Sequence, residues 1–228
     1  MSPPVRPIQS QSVTDLVTNE LRRSIVSGDL APGETFSLRK IASALDVSFI
    51  PVREALRNLV GEGLVITRPG HSACVAPLHL DDLQAIYRLR RTIESEIAGR
   101  SCLMISDAEL DQLQRQAEDF GEEHHTIQTV YESHHDFHTA LLAPACTTWD
   151  MRVLNSLWRA AERYIRIGFS KAGPDPEGNS RHQLAHQELV DTFRSREPEV
   201  VSKAVLAHLS RNEETALRAL ADVPHVEP

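Results

Sequence analysis

The sequence has no uninterrupted apolar run of the roughly 18 residues that a membrane-spanning helix needs, and its first residues lack the apolar core of a signal peptide. It also has few cysteines: Cys74, Cys102 and Cys146 lie far apart and form no CxxC pair. An odd number of scattered cysteines argues against a disulfide framework and favours a reducing compartment. We therefore expect a cytoplasmic protein that has no membrane partner.

Several catalytic signatures are missing as well. The chain contains no phosphate-binding glycine loop, no nucleophile elbow and no His-Glu-x-x-His motif of the zinc proteases. Aromatic residues are only 5% of the chain, but 41% of it is hydrophobic, which is enough to form a buried core. These features predict a globular protein of one large or two modest domains that is not an enzyme.

Charge is unevenly distributed along the 228 residues. The formal net charge is −8, but residues 1–76 carry 8 Lys and Arg against 7 Asp and Glu, whereas residues 77–228 carry 16 against 25. Ten of the eleven histidines also lie in this acidic second part. Such an asymmetry of charge suggests that the two parts of the chain have different functions. Because a turn-rich stretch and a short apolar run end near Pro77, we predict two domains, residues 1–77 and 78–228.

Residues 13–76 have the pattern of three short helices followed by two strands. Apolar residues recur at three- and four-residue steps over residues 13–28, and Ser37 and Ser48 stand where they can cap a second and a third helix. Leu64–Thr67 and Ala73–Ala76 read as two strands around a Pro-Gly turn. This order of elements predicts a winged helix-turn-helix. The predicted buried face of its third helix consists of Val52, Leu56, Leu59 and Val60.

Beyond Pro77 the sequence has almost only helix signals. A capping box at Ser106 and Glu109 starts one helix, the stretch 173–180 reads as a loop, and Leu89 belongs to the apolar stripe of the first long helix. The predicted fold is therefore mainly α: a winged helix-turn-helix followed by an antiparallel bundle of about six helices. The bundle helices are expected near residues 80–103, after residue 106, and at 127–142, 148–169, 181–194 and 198–220.

A helix-turn-helix reads DNA with the first residues of its second helix, which faces the base edges of the major groove. Here Arg53 can contact a guanine or a phosphate, and Arg39 on the preceding helix can contact the DNA backbone. Gly70 and His71 of the wing can approach the minor groove. The candidate DNA-contacting residues are Arg39, Ser48, Phe49, Ile50, Arg53, Gly70 and His71.

The histidines of the second part have a spacing typical of metal ligands. His134 and His138 are four residues apart and so share one face of a helix, His186 lies on a later helix four residues after His182, and His208 lies on the last helix. Three helices can thus direct imidazoles at one point, and imidazole-rich ligation suits Zn²⁺ or Ni²⁺. We expect no such role for His124, His125, His135 and His225.

Two alternative functions stay open at this level. A metal-dependent enzyme that uses the histidine site would turn over a substrate, although no motif for a general base accompanies the histidines. A DNA-binding module without an effector would contain a bundle that binds no metal.

The first part of the chain resembles the N-terminal domain of the GntR family of bacterial transcription regulators. The resemblance rests on Gly28, on Pro32-Gly33 and above all on the run Pro51-Val52-Arg53-Glu54-Ala55-Leu56, followed by Glu62-Gly63-Leu64-Val65. It implies a homodimer that binds double-stranded DNA at a palindromic operator. Family members usually have Arg-Thr where this chain has Phe49-Ile50, and Gly where it has Asp46. Phe49 and Ile50 could contact thymine methyls or pack against another part of the protein.

The second part is similar to the FCD ligand-binding domain of the FadR subfamily of these regulators. The matching pieces are Leu89-Arg90-Arg91-Thr92-Ile93-Glu94, Phe137-His138-Thr139-Ala140-Leu141, Ala185-His186 and Ala207-His208-Leu209. The resemblance implies a divalent metal held by His138, His186 and His208, and a small carboxylate or sugar-acid effector.

In this subfamily an Asp four residues before the first of these histidines often completes the metal site. Here that position is His134, and Asp136 is expected to face away. Our hypothesis is that His134 still binds the metal; the competing view is that the site binds metal weakly or has lost it. Arg90 is the candidate partner of the effector's carboxylate. The resemblance as a whole predicts a repressor that its effector releases from DNA.

Overall fold

The structure is a computed structural model that describes residues 12–67, 72–120, 127–169, 176–221 and 226–227. Contacts within the chain separate two compact units, Met1–Pro77 and Leu78–Pro228. Each unit has its own cluster of buried apolar side chains. Two units of this size with separate cores fit the usual anatomy of protein domains.

Three helices and three short strands build the described part of the first unit: α1 (Val13–Ser27), β1 (Thr35–Phe36), α2 (Leu38–Ala44), α3 (Phe49–Gly61), β2 (Val65–Ile66) and β3 (Ala73–Val75). The strands form one antiparallel sheet in the order β1-β3-β2. Helices α2 and α3 with the sheet make a winged helix-turn-helix, so the predicted fold of this part is confirmed.

Strand β1 is a feature that the sequence-based prediction missed. Thr35 pairs with Cys74 and Phe36 pairs with Ala73, so β1 extends the wing by one edge strand. Two residues are too few for an alternating pattern to be recognised in a sequence. The two strands that were predicted with four residues each contain two and three residues.

The helix ends follow local sequence signals, with one difference. Gly28 adopts a left-handed conformation with φ 85°, and its N–H donates to the carbonyl of Ile25, which ends α1. Asp46, which the sequence places in a tight turn, has φ 51°, a conformation that Asp tolerates better than most residues. Ser37 and Ser48 stand at the N-caps of α2 and α3 as predicted, but neither hydroxyl makes a capping hydrogen bond.

The buried face of α3 differs from the predicted one at a single position. Val52, Leu56 and Leu59 are buried as expected, and Ala55 is buried with them, whereas Val60 is 40% exposed. The prediction for Val60 is wrong because the stripe that packs on α1 follows positions 52, 55, 56 and 59, and position 60 lies beyond its edge.

Six helices and one short 3-10 turn build the described part of the second unit: α4 (Leu80–Ser101), α5 (Asp107–Asp119), α6 (Ile127–Leu142), the turn Ala143–Ala145, α7 (Thr148–Phe169), α8 (Pro176–Arg194) and α9 (Pro198–Leu220). This helical bundle confirms the predicted class. Two-residue strands β4 (Leu78–His79) and β5 (Val226–Glu227) pair in parallel, which the sequence does not reveal because each is so short.

Two helix starts in the second unit show how far local signals reach. The capping box of α5 is present as predicted, because the Ser106 hydroxyl accepts from the N–H of Glu109 and the Glu109 carboxylate accepts from the N–H of Ser106. The loop predicted at 173–180 is wrong for residues 176–180, which are helical, while 173–175 lie outside the described residues. Pro176 begins α8, since proline fits the first turn of a helix.

Helix α4 is the centre of the second unit and packs against α9 and α7. Its buried stripe includes Leu83, Tyr87 and Ile97, while Leu89, which the sequence assigns to that stripe, is 47% exposed. Leu89 lies one position before buried Arg90, outside the three- and four-residue steps of the stripe. Across the ranges that the structure describes, no helix combines the length and the apolar character needed to cross a membrane.

Helices α4 and α9 approach each other closely at Gly99. A Cβ atom added there would lie 2.6 Å from the Oγ of Ser202 and 3.2 Å from the carbonyl oxygen of Pro198. Movement of the Ser202 side chain away from Gly99 would break a hydrogen bond, because its hydroxyl donates to the carbonyl of Ser95 at 2.8 Å. Gly99 therefore sets the distance between the two helices.

We predict that Gly99→Ala lowers the free energy of unfolding by about 1–3 kcal/mol, because overpacking outweighs the better helix propensity of alanine. Urea unfolding measures this. Gly61→Ala is the matched control: its added Cβ meets nothing within 4 Å, so stability should stay equal or rise. The double variant Gly99→Ala, Ser202→Ala should recover part of the loss. A Gly99→Ala protein as stable as the unchanged chain would contradict this account of the contact.

Candidate metal centre and nucleic-acid interface

The first residues of α3 form an exposed surface on the first unit. Phe49 and Ile50 are 44% and 64% exposed, Ser48 is exposed before them, and the Arg53 side chain one turn later is 53% exposed. This exposure follows from the opposite face of α3, which packs on α1. Phe49 and Ile50 therefore do not belong to the buried core of their own unit.

Cationic side chains accompany this surface. Arg39 on α2 is exposed, and Arg53 lies 3.9 Å from Glu54, a distance that leaves only a weak ion pair. Arg57 is held more closely, since it donates to Glu54 at 3.0 Å. Gly70 and His71, the predicted contacts of the wing, lie outside the described residues.

Four histidines from three helices meet in the second unit. His134 and His138 come from α6, His186 from α8 and His208 from α9, and one ring nitrogen of each lies within 4.8 Å of the others. The Nε2 atoms of His134 and His138 are 3.1 Å apart, and two nitrogens that share a tetrahedral Zn²⁺ lie about 3.3 Å apart. The residues singled out from the sequence are thus brought together in one place.

The ring nitrogens at this point are buried without enough partners. Nε2 of His186 and Nδ1 of His208 have no hydrogen-bond partner, and a buried polar atom without a partner is costly. The outer nitrogens are held: Nδ1 of His186 lies 2.6 Å from the carbonyl oxygen of His182, and Nε2 of His208 lies 3.0 Å from the amide of Asn212. This donor set fits a divalent metal, which would bind the inward lone pairs.

Burial keeps these imidazoles in the form that can bind a metal. Burial, followed by the charges of neighbouring histidines, lowers the pKa of His134 and His138 well below the usual value. The pKa of His208 is lowered to about 3, again mainly by burial. At neutral pH the rings are therefore neutral, and a neutral imidazole nitrogen is a metal ligand.

His182 and Phe120 extend the cluster beyond the predicted set. The ring of His182 lies 4.2 Å from that of His186 and 5.1 Å from that of His134, between centroids. Phe120 packs edge-on against His186 at 5.0 Å. The sequence signal for His182 was its position four residues before His186, whereas nothing in the sequence pattern pointed to Phe120 or to Asn212.

No carboxylate belongs to the metal-ligating group found among the described residues. The side chain of Asp136 is 78% exposed and lies 3.6 Å from His135, so it faces away from the cluster, as its spacing indicates. His135 packs its ring on Trp158 at 4.9 Å. The other three histidines for which no role was expected, His124, His125 and His225, lie outside the described residues.

Arg90 is buried beside the cluster in a network that the sequence did not reveal. Its Nε donates to Glu94 at 2.7 Å, and the same carboxylate oxygen accepts from Nε1 of Trp158 at 2.8 Å. Although burial opposes its charge, Glu94 raises the pKa of Arg90. The charge of Arg90 in turn helps to lower the pKa of His138 after burial. The available signal for Glu94 was its four-residue spacing from Arg90.

Both units match known protein families. Residues 14–75 match the model of bacterial regulatory proteins of the gntR family, and residues 85–211 match the model of the FCD domain. The second match alone spans more than half of the chain.

Individual relatives agree with these matches. The chain is 29% identical over 217 residues to an uncharacterized HTH-type transcriptional regulator, BphR of Paraburkholderia xenovorans, covering 90% of this chain and 86% of BphR. It is 26% identical over 210 residues to the HTH-type transcriptional repressor RspR of Escherichia coli, covering 90% of each chain. The solved structure of E. coli McbR/YncC shares the fold, with a TM-score of 0.76 at 19% identity over 92% of this chain and 99% of that one.

We predict that the metal-free protein loses stability as the pH falls below about 6.5, the ordinary pKa of histidine. The pKa of His182 is lowered by burial to about 4, so between these values the unfolded chain binds a proton that the folded chain does not. The contribution of neutral His182 to the free energy of unfolding is therefore fully present above pH 6.5, and it is lost as the pH falls towards 4.

The measurement is urea unfolding with a chelator at pH 7.5 and pH 5.0. His182→Gln should have a shallower pH dependence, by at most about 1.4 kcal/mol per pH unit. Equal pH dependence of the variant and the unchanged protein would contradict the assignment to His182.

Proposed function

From the premise that this chain belongs to the gntR family of bacterial regulatory proteins and carries the FCD domain, we propose that it is a repressor controlled by a small anion. It is a DNA-binding transcription regulator and not an enzyme. The observation that carries the proposal is the convergence of His134, His138, His186 and His208 on one buried point. Repression is the role in the name of the related RspR.

The four histidines would hold a divalent metal, with Zn²⁺ or Ni²⁺ favoured because all the ligands are nitrogens. When bound, the ion would supply a positive charge and, by taking a further ligand beyond the four histidines, a coordination position for an oxygen of the effector. A carboxylate ligand would reduce that charge, whereas His134 leaves it undiminished. The site therefore attracts an anion more strongly than one completed by aspartate.

The outer hydrogen bonds decide which nitrogen each ring presents to the metal. Nδ1–H of His186 donates to the carbonyl of His182, so its Nε2 lone pair points inward. For His208 the amide of Asn212 takes this part: its Nδ2 lies 3.0 Å from Nε2, and a half-turn of the amide would place its oxygen there, so that the ring donates outward and Nδ1 is free for the metal. These partners hold the ligand rings in place before an effector arrives.

Arg90 would pair with the carboxylate of the effector, which we propose to be a small carboxylate or sugar acid. A guanidinium has five N–H donors; the one on Nε bonds to Glu94 and Tyr87 accepts another, which leaves further donors for an anion. Glu94 is itself fixed by Trp158. The carboxylate of Glu94 thus orients the guanidinium and keeps it charged, so that it is ready to accept an anion beside the metal.

The first unit would read DNA. We assign residues 1–77 to DNA binding and residues 78–228 to effector binding and dimerisation, in the cytoplasm, where bacterial DNA lies. A homodimer places two recognition helices on the two halves of a palindromic operator. The proposed DNA contacts are Arg39, Ser48, Phe49, Ile50, Arg53, Gly70 and His71.

Effector and operator would be coupled through the dimer. An operator is bound well only when both recognition helices match the spacing of its half-sites. An anion that binds one arrangement of the dimer better than the other shifts the population toward it, by as much as its affinities differ. Release of the operator then requires the effector-bound arrangement to be the one that fits DNA less well.

We predict that the protein protects a site in the DNA flanking its own gene, and that Arg53→Ala weakens this binding about tenfold or more, because a guanidinium contact with a guanine is lost. Gel shift and footprinting measure both, with metal-loaded protein and a set of small carboxylates and sugar acids, one of which should release the DNA. Arg218→Ala, whose side chain is 80% exposed on α9, is the charge-matched control. No protected site under any condition would defeat the proposal.

We also predict that His134→Ala lowers the affinity for Zn²⁺ or Ni²⁺ at least about tenfold, because one of four ligands is lost. Metal titration by calorimetry measures it, and elemental analysis of the purified protein gives the stoichiometry. His135→Ala is the neighbouring control and should bind metal normally, while His134→Asp should keep binding through a carboxylate. Undiminished affinity in His134→Ala, or a bundle that takes up no metal, would overturn the four-histidine site.

A further inference from the structure

Two large apolar side chains begin α3 and are left in water. Ile50 is 64% exposed and Phe49 is 44% exposed, although Val52, two residues later, is completely buried. Helix α3 thus has an apolar face in the core, and Phe49 and Ile50 are two further apolar side chains that lie outside that face. Covering an exposed apolar side chain is favourable in proportion to the apolar area removed from water, so a partner that covers both would gain binding energy.

The surroundings of this pair identify the kind of partner. Arg53 and Arg57 follow on the same helix at three- and four-residue steps, and Arg39 and Lys40 are exposed on α2. The acidic Glu54 is already engaged with Arg57. An exposed apolar pair that has cations on its own helix and on the preceding one fits a ligand with both anionic and apolar groups, which describes the phosphates and the floor of a DNA major groove.

One group in that groove suits these side chains. Phe49 and Ile50 can neither donate nor accept a side-chain hydrogen bond, so they cannot read the polar edges of guanine, cytosine or adenine. Thymine alone presents a methyl group in the major groove, and apolar side chains recognise it by contact. The pair therefore selects bases by a methyl group.

We propose that Phe49 and Ile50 are specificity-determining residues that read two thymine methyls in each half-site of the operator. This inference rests on the proposed DNA-binding function. Arg53 lies one helical turn further on, about 5.4 Å along the axis, and base pairs are about 3.4 Å apart. The two thymines thus lie within about one or two base pairs of the guanine that Arg53 contacts.

The test uses the full-length protein and DNA selected from a random double-stranded pool. In the selected site, each thymine is replaced in turn by deoxyuridine, which pairs identically but lacks the methyl group. We expect two positions per half-site, each within about one or two base pairs of a guanine, at which this replacement lowers affinity about fourfold. Replacement at the other thymines should change nothing.

Variants then assign the methyl dependence to the two residues. Phe49→Ala and Ile50→Ala should each weaken binding to the thymine site and remove the penalty of deoxyuridine at one of the two positions. Val60→Ala is the matched control, since Val60 is a 40% exposed apolar residue at the other end of the same helix. It should retain both affinity and methyl dependence.

The outcomes separate this inference from the function on which it rests. A selected site whose affinity does not depend on any thymine methyl, or a methyl dependence that both alanine variants retain, overturns the reading by Phe49 and Ile50 while DNA binding stands. Failure to enrich any sequence from the pool overturns the DNA-binding function itself, and the inference with it.

Discussion

Four neutral imidazoles held at one buried point are the constraint on which the second unit depends. Burial lowers the pKa values of the rings, so they can share a small volume without charge repulsion. Two of their inward nitrogens, Nε2 of His186 and Nδ1 of His208, lack partners, and a divalent ion would satisfy several lone pairs at once. The helices α6, α8 and α9 are thereby joined at a place that also contacts the charge of Arg90.

Buried polar groups beside the histidine cluster also need partners. Arg90 is buried and charged, which is tolerable only because Glu94 pairs with it and Trp158 donates to the same carboxylate oxygen. A cation fixed in this way next to the proposed metal site would favour an anionic ligand. In the first unit the balance is the opposite: apolar Phe49 and Ile50 are exposed among cations, which suits a groove lined by phosphates and thymine methyls.

Most of the helices and the four histidines of the cluster could be predicted from the sequence, because the patterns that indicate them are local. Helix bounds, the capping box at Ser106 and the i, i+4 histidine pairs depend on residues within one or two turns of each other. The contacts that the sequence did not predict depend on the packing of distant segments. Strand β1 forms only by pairing with β3, and Phe120 joins the cluster only by packing against α8. The role of Asn212 is recognisable only once His208 is known to face inward. Leu89 and Val60 were assigned to buried faces because periodicity gives the direction of a stripe more reliably than its width.

We propose that the metal is held by imidazoles alone, without a carboxylate. X-ray absorption spectroscopy at the zinc edge of the zinc-loaded full-length protein tests it most directly, since scattering within the imidazole rings counts the histidines bound. The account predicts four imidazole nitrogens at about 2.0 Å, falling to three in His134→Ala. A spectrum with fewer than four imidazoles, unchanged by His134→Ala, would contradict it.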